Sequence, residues 1–427
     1  MALNRLNMIS VIFYFYLVFM SYIGATFIAN GFGDNPVINL VTSEYRFLGW
    51  IIVSYVMMAL PIGILLIKYV FKINNTANLF NNYVFGNIVP LTSKKDSYIR
   101  IFLYGLTFLS FISVIYVVLV VGKIPQLQLF GLSSQADVLM LRNSINRGFE
   151  GIYPIKSILF EQLTPLLSYI AYAYYRMTNS LKDKIWFYIL LLLTLFMLTF
   201  TLSKSPLIGY GIIFMILKIY IDGYIKWKFF IAFLIIAILG IFLLFVLVVR
   251  GTNLEFVLIF LFNRIFFDQI SGTFLMLQIF PDVYNHLGFS SLSRPLSSIF
   301  IGSYSEPATR LVMEYAFPAA TEKGLMNLLS TLFIGEAWAN FGWIGIIISP
   351  VYIGMLAGSF YYFILRSKKT PILLGFLAFF SFKVNLVSQF NQYIYNSTVF
   401  ALVIIFIVSY ALALMLKQTK NRKVHSV

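Results

Sequence analysis

The chain is dominated by runs of about twenty apolar residues, and those runs decide what it can fold into. A hydrocarbon core of ~30 Å is crossed by ~20 helical residues, and every backbone polar group inside it must be satisfied within the segment. Helical spans are expected near 8–29, 47–71, 101–122, 157–175, 185–202, 207–221, 229–249, 344–365, 372–388 and 397–416. Composition agrees, with 60% of residues hydrophobic and 11% charged. A soluble domain averages ~45–50% and ~25%, so a water-soluble fold is excluded. The first run follows a single Arg5, and no small-x-small cleavage site closes it. It is expected to stay as an anchor rather than leave as a signal peptide.

The formal net charge is +16. In a soluble protein that excess would point to nucleic acid, but in a chain this apolar it reports threading, because basic loops stay in the cytoplasm. With the N-terminus inside, nineteen basic residues and three acids (Asp96, Asp183 and Asp222) fall on the inner side. The outer side then holds twelve of each sign. The expectation is an all-α polytopic integral membrane protein of about ten transmembrane helices, both termini cytoplasmic, with no nucleic-acid partner. Its parts are a seven-helix region 1–249 with an outer loop 123–156, a large outer loop 250–343, and a three-helix region 344–427 with a basic tail. Zero cysteines exclude disulfides, thiolate nucleophiles and Cys-ligated metals. The longest inner segment, 72–99, has no Gly-rich phosphate loop, so a cytosolic nucleotide domain has no room.

The chemistry is therefore sought outside, chiefly in 250–343. A mostly apolar stretch from Leu254 to Phe280 is interrupted by Glu255, Arg264, Asp268 and Gly272, as expected of short re-entrant or interfacial helices. Arg264 and Asp268 stand at i,i+4, one above the other on a helix, with Asn263 and Gln269 nearby. Ionisable residues at membrane depth mark either a functional site or a structural pair. Beyond Pro281 the segment is rich in Ser, Asn and aromatic residues, and it includes Glu314-Tyr315. Such side chains suit a carbohydrate surface, and equally an ordinary loop packed over a helix bundle. Arg250, Arg264, Arg294 and Arg310 lie here, with Arg142 and Arg147 in the other outer loop and Lys204 at an outer turn. Guanidinium forks match phosphate oxygens, so convergence of these residues would suit a pyrophosphate, while each alone also reads as a salt bridge or headgroup anchor. His286, the only outer histidine, is a general-base candidate or a plain surface residue. No HExxH, DxD or GxSxG pattern occurs, and no metal or cofactor is expected. Glu336, Trp338 and Asn340 lie in the passage Gly335–Gly345 that enters a span. An acid, an amide and an indole there could meet a lipid-linked sugar or form an aromatic belt with helix-packing glycines.

Three passages resemble the O-antigen (oligosaccharide repeat-unit) polymerases of bacterial inner membranes. They are Gly122-Lys123-Ile124-Pro125 with Arg142 and Arg147 downstream, Thr201-Leu202-Ser203-Lys204-Ser205-Pro206 between two spans, and Gly335-Glu336 through Asn340-Phe341-Gly342. The resemblance implies a periplasmic-face glycosyltransferase acting on undecaprenyl-pyrophosphate-linked oligosaccharide, with a chain-length co-polymerase and a flippase as partners. On that reading Glu336, Glu314, Asp268 and His286 are candidate bases. Arg264 and Arg294, then Arg250, Arg310, Arg142, Arg147 and Lys204, would hold the pyrophosphate, with Tyr315, Asn340 and Trp338 at the sugar. The rival readings are an O-antigen ligase with the same donor and a lipid-linked oligosaccharide flippase.

Overall fold

The computed structural model describes residues 6–91, 97–128, 135–146, 148–224, 228, 231, 235, 259, 262–322 and 328–425. It is all-helical, with no strand among the described residues. Helix covers most of each expected run except 229–249, which lies outside the described residues apart from 231 and 235. Six helices are long and apolar enough to cross a membrane: Met8–Ala29, Ser43–Val70, Tyr98–Val121, Leu181–Phe200, Phe333–Arg366 and Asn391–Leu416. They expose large apolar side chains, Met58 at 72% and Leu119 at 73% among them. In water such stripes would be a liability, whereas against lipid they are the expected outer face. The chain is a multi-pass helical membrane protein.

Two expected spans take a different form. The run at 372–388 becomes a 13-residue helix, Pro371–Lys383, about 20 Å long and shorter than the ~30 Å core. The chain leaves helix there because Asn385 turns it, its side-chain oxygen accepting from the backbone N–H of Val387 at 3.0 Å. The run expected from 344 instead starts at Phe333, so that Glu336 lies in the first turn of a long helix broken at Gly342.

The chain divides into two compact units. The first comprises Met1–Thr76, Gly251–Phe363 and Lys383–Asn396. Inside it, Ser43–Val70 crosses Phe333–Arg366 with backbones almost touching. A Cβ at Gly63 would collide with the Val351 carbonyl, and one at Gly354 with that of Leu60. Small residues permit this approach, which supplies the van der Waals contact that holds helices together in lipid.

The second unit comprises Ala77–Arg250, Ile364–Phe382 and Ser397–Val427. Its core is aromatic, with Tyr172, Phe187 and Phe214 mutually in contact and Tyr169 and Tyr210 stacked at 5.1 Å. Charges expected to set threading also hold this unit together. Arg100 pairs with fully buried Asp183 at 3.0 Å, and Arg176 grips Asp222 with both fork nitrogens at 2.6 and 3.0 Å. The π-helix Ile155–Leu163, held by i→i+5 hydrogen bonds, carries buried Lys156 and Glu161, which pair at 3.6 Å.

Candidate functional site

The break at Gly342 organises the first unit's polar residues. Gly342 has φ 58° and ψ −139°, a backbone region reserved for glycine, where any other residue would cost ~1–3 kcal/mol. At this break the carbonyls of Ala339 and Asn340 accept from the backbone N–H groups of Leu287 and Gly288, at 3.0 and 2.9 Å. The segment after Pro281 is thereby docked on the broken helix. Trp338 reinforces the dock, its indole N–H donating to the Phe280 carbonyl at 3.1 Å.

Beneath the dock lies a buried polar cluster. One Glu336 oxygen accepts from the Asn391 backbone N–H at 2.9 Å, and the other accepts more distantly from the Asn391 side-chain amide. That amide also donates to the Ser291 carbonyl at 2.9 Å, and the Asn340 amide donates to Asn391 Oδ1 at 2.9 Å. Ser291 closes the circuit by donating to Asn340 Oδ1 at 3.0 Å. All four residues are buried, and among the described residues no cation pairs with Glu336. Charge-assisted bonds from Asn391 offset part of the cost of keeping a carboxylate there.

This arrangement places three of the candidate residues. Glu336 is fully buried. Asn340 and Trp338 are buried as well, and their polar groups hold the docked segment rather than facing a sugar. The common reason is the helix break, which turns a passage expected at the surface into the floor beneath a loop.

His286 sits on that floor with its side chain exposed. Its Nδ1 lies 3.3 Å from the Ala339 carbonyl, and its ring meets Trp338 edge-on at 5.4 Å. A carbonyl oxygen only accepts, so Nδ1 carries the hydrogen and neutral His286 keeps its lone pair on Nε2. Nε2 lies above Gly342, where an added Cβ would approach to 3.1 Å. Gly342 thus supplies both the break and the space for the imidazole.

Asp268 has a partner on each carboxylate oxygen. One of its oxygens takes Arg264 at 3.3 Å and the other takes the Asn35 amide at 2.9 Å. The expected i,i+4 pair therefore forms, with Asp268 orienting a guanidinium that stays 58% exposed. Arg310 and Glu314 make a second i,i+4 pair at 2.6 Å, with Tyr315 exposed beside them. Burial, and then the Glu314 carboxylate and Tyr315, hold the nearby Tyr284 phenol above its usual pKa. Tyr284 in turn contacts Phe280, whose carbonyl accepts from Trp338.

The remaining cations are less completely described. Arg294 and Lys204 are placed by backbone alone, each as the first residue of its helix, Arg294–Phe300 and Lys204–Asp222. Arg142 is exposed in Gln135–Asn146 of the second unit. Arg147 and Arg250 lie outside the described residues. Among the described residues no three His, Asp or Glu side chains gather as a metal site would require.

Sequence reading missed Asn391 and Ser291. Their only local signal is polarity: Asn391 belongs to Gln389-Phe390-Asn391-Gln392, between two apolar runs. Comparison of the chain with protein-family models, with curated proteins and with solved structures finds no match.

Proposed function

We propose that this chain is an O-antigen or related oligosaccharide repeat-unit polymerase of a bacterial inner membrane. In this reading about ten helices span the membrane with both termini cytoplasmic, and the docked segment faces the periplasm. The enzyme moves the growing glycan from undecaprenyl pyrophosphate to a hydroxyl of the incoming lipid-linked repeat unit. A chain-length co-polymerase and a flippase would work beside it.

The observation that carries the reading is the docked segment on the broken helix, with exposed His286 oriented by the Ala339 carbonyl and by Trp338. His286 Nε2 takes the proton of the acceptor hydroxyl, whose oxygen attacks the anomeric carbon of the donor glycan. The bond from that carbon to the pyrophosphate oxygen breaks, and its electron pair leaves with the pyrophosphate. Arg264, held in place by Asp268, stabilises the developing charge. Arg294 and Arg310, in the same unit, are the further cations of this assignment. Glu336 and Asn340 act as positioning residues through Asn391 and Ser291.

The test is a lipopolysaccharide gel of a strain lacking the gene, with and without the gene restored. Core carrying a single repeat unit, with long chains returning on complementation, is expected. Bare core would replace the reading with a ligase, and an unchanged ladder would contradict it.

A further inference from the structure

The segment docked on the broken helix wears its polarity inside out. A serine-rich stretch ordinarily offers its hydroxyls to water. Here Ser290 and Ser297 donate to the carbonyls of Leu287 and Phe289, and Ser291 donates to Asn340 Oδ1 at 3.0 Å. Ser293 accepts from the Leu296 backbone N–H at 3.3 Å. The backbone is satisfied in the same way, since the N–H groups of Leu287, Gly288, Ser290, Leu292, Ile301 and Ser305 all donate to carbonyls of the protein. The large apolar side chains, by contrast, are outside. Phe289 is 55% exposed and Ile299 74%, and Ile301 is exposed as well.

Facing water, such a segment would expose apolar area while turning its hydroxyls inward. Facing a bilayer it has the form the solvent requires, because polar groups there must be satisfied within the protein. Lipid is also what adjoins it. The Phe289 ring meets that of Phe341 edge-on at 4.9 Å, immediately before the break. After the break Trp343, Ile344, Ile347 and Ile348 are exposed along the membrane-crossing helix, at the spacing of one helical face. The stripe that this helix turns to lipid thus starts just past the ring partner of Phe289, with an indole at its end as at a membrane interface. From Leu287 to Ser305 the only charged residue is Arg294, a cation, the sign that anionic headgroups attract.

We infer that the segment around Phe289 and Ile299 rests in the interface of the adjoining leaflet, with these side chains among the first acyl carbons. It is then a membrane-bound cap on the broken helix rather than a loop free in water. The inference concerns the lipid surface alone and does not rest on the glycosyl-transfer reading.

The chain has no cysteine, so a single introduced cysteine reports one site. Full-length protein carrying Phe289→Cys, Ile299→Cys or Asp282→Cys is labelled with bimane and reconstituted in vesicles of phosphatidylcholine and phosphatidylglycerol. All three positions are exposed, and Asp282 is a charged residue at the start of the same segment, so it shares the vesicle side of the other two. Brominated phosphatidylcholine is expected to quench Phe289→Cys and Ile299→Cys at least about threefold more than Asp282→Cys, and aqueous iodide to give the reverse order. Should Phe289→Cys fail to fold, Ile299→Cys and Ile301→Cys decide. Iodide quenching at these sites equal to that at Asp282→Cys would overturn the inference in favour of a water-facing loop. Shielding from both quenchers would also overturn it, in favour of cover by a second copy or by another part of this chain.

Discussion

Glu336 in the first unit and Lys369 in the second are both buried and both held chiefly by amide groups, yet their surroundings differ in kind. Lys369 meets three backbone carbonyls near the ends of two helices, Thr76–Phe85 and Lys204–Asp222. Each of its ammonium hydrogens has an acceptor there, and the arrangement ties helix ends together. Glu336 meets Asn391 and the backbone N–H of Phe390, and the remaining bonds of Asn391 run to Ser291 and Asn340 and so to a loop carrying an exposed imidazole. Lys369 thus forms a closed structural cap, whereas Glu336 belongs to a polar scaffold that ends in an exposed side chain.

Removing the carboxylate sets the upper bound on the difference. Glu336→Ala leaves the Asn391 donors without their acceptor and opens a void, a loss of about 3 kcal/mol. Thermal unfolding of the purified protein should show it, and Glu336→Gln should recover much of it. If Glu336→Ala unfolded like wild type, the scaffold would not hold the loop.

Lys369→Met is expected to cost about 2 kcal/mol, because three carbonyls lose their donor, while Lys368→Met leaves stability unchanged. Its pH dependence sharpens the contrast. Burial pushes the Lys369 amine down to about 8, with Asp222 opposing the shift. Its folded-state pKa is thus below the unfolded value of ~10.4, so between those values the unfolded chain binds more protons and stability rises with pH. That contribution is complete above ~10.4 and is lost as pH falls through about 8. The difference in unfolding midpoint between wild type and Lys369→Met should therefore widen on raising the pH from 8 to 10. A constant difference would contradict this account.

The smallest structural effect is expected at Arg264, whose pairing with Asp268 is exposed and worth under ~1 kcal/mol. On the proposed polymerase reading, Arg264→Ala should leave the unfolding midpoint in place and lower kcat for elongation at least about tenfold, because the charge developing on the leaving pyrophosphate loses its partner. An unchanged kcat would remove Arg264 from that role.

What the sequence made legible follows the range of the forces involved. Hydropathy accumulates over neighbours, so helix occupies most of each expected run where residues are described, the stretch after Lys383 being the main exception. The Arg264–Asp268 pair was legible for the same reason, being four residues apart. Gly342 was not, because Asn-Phe-Gly-Trp-Ile-Gly reads equally well as packing between continuous helices, and the break becomes evident only with the 287–288 backbone docked on it. Asn391 meets Glu336 from 55 residues away, and Ser291 meets Asn391 from 100, with no local pattern to mark either contact. Lys369 read simply as one more basic residue in an inner loop, although its burial makes it a cap for carbonyls.

The central claim is that the docked segment presents His286 as the base, with Glu336 beneath it as support. Its most direct measurement is the elongation rate of a lipid-linked repeat unit by purified full-length protein carrying His286→Ala. A fall of at least ~100-fold, with the unfolding midpoint unchanged because the side chain is exposed, is the result this account predicts. Elongation at the wild-type rate by the folded variant would contradict it.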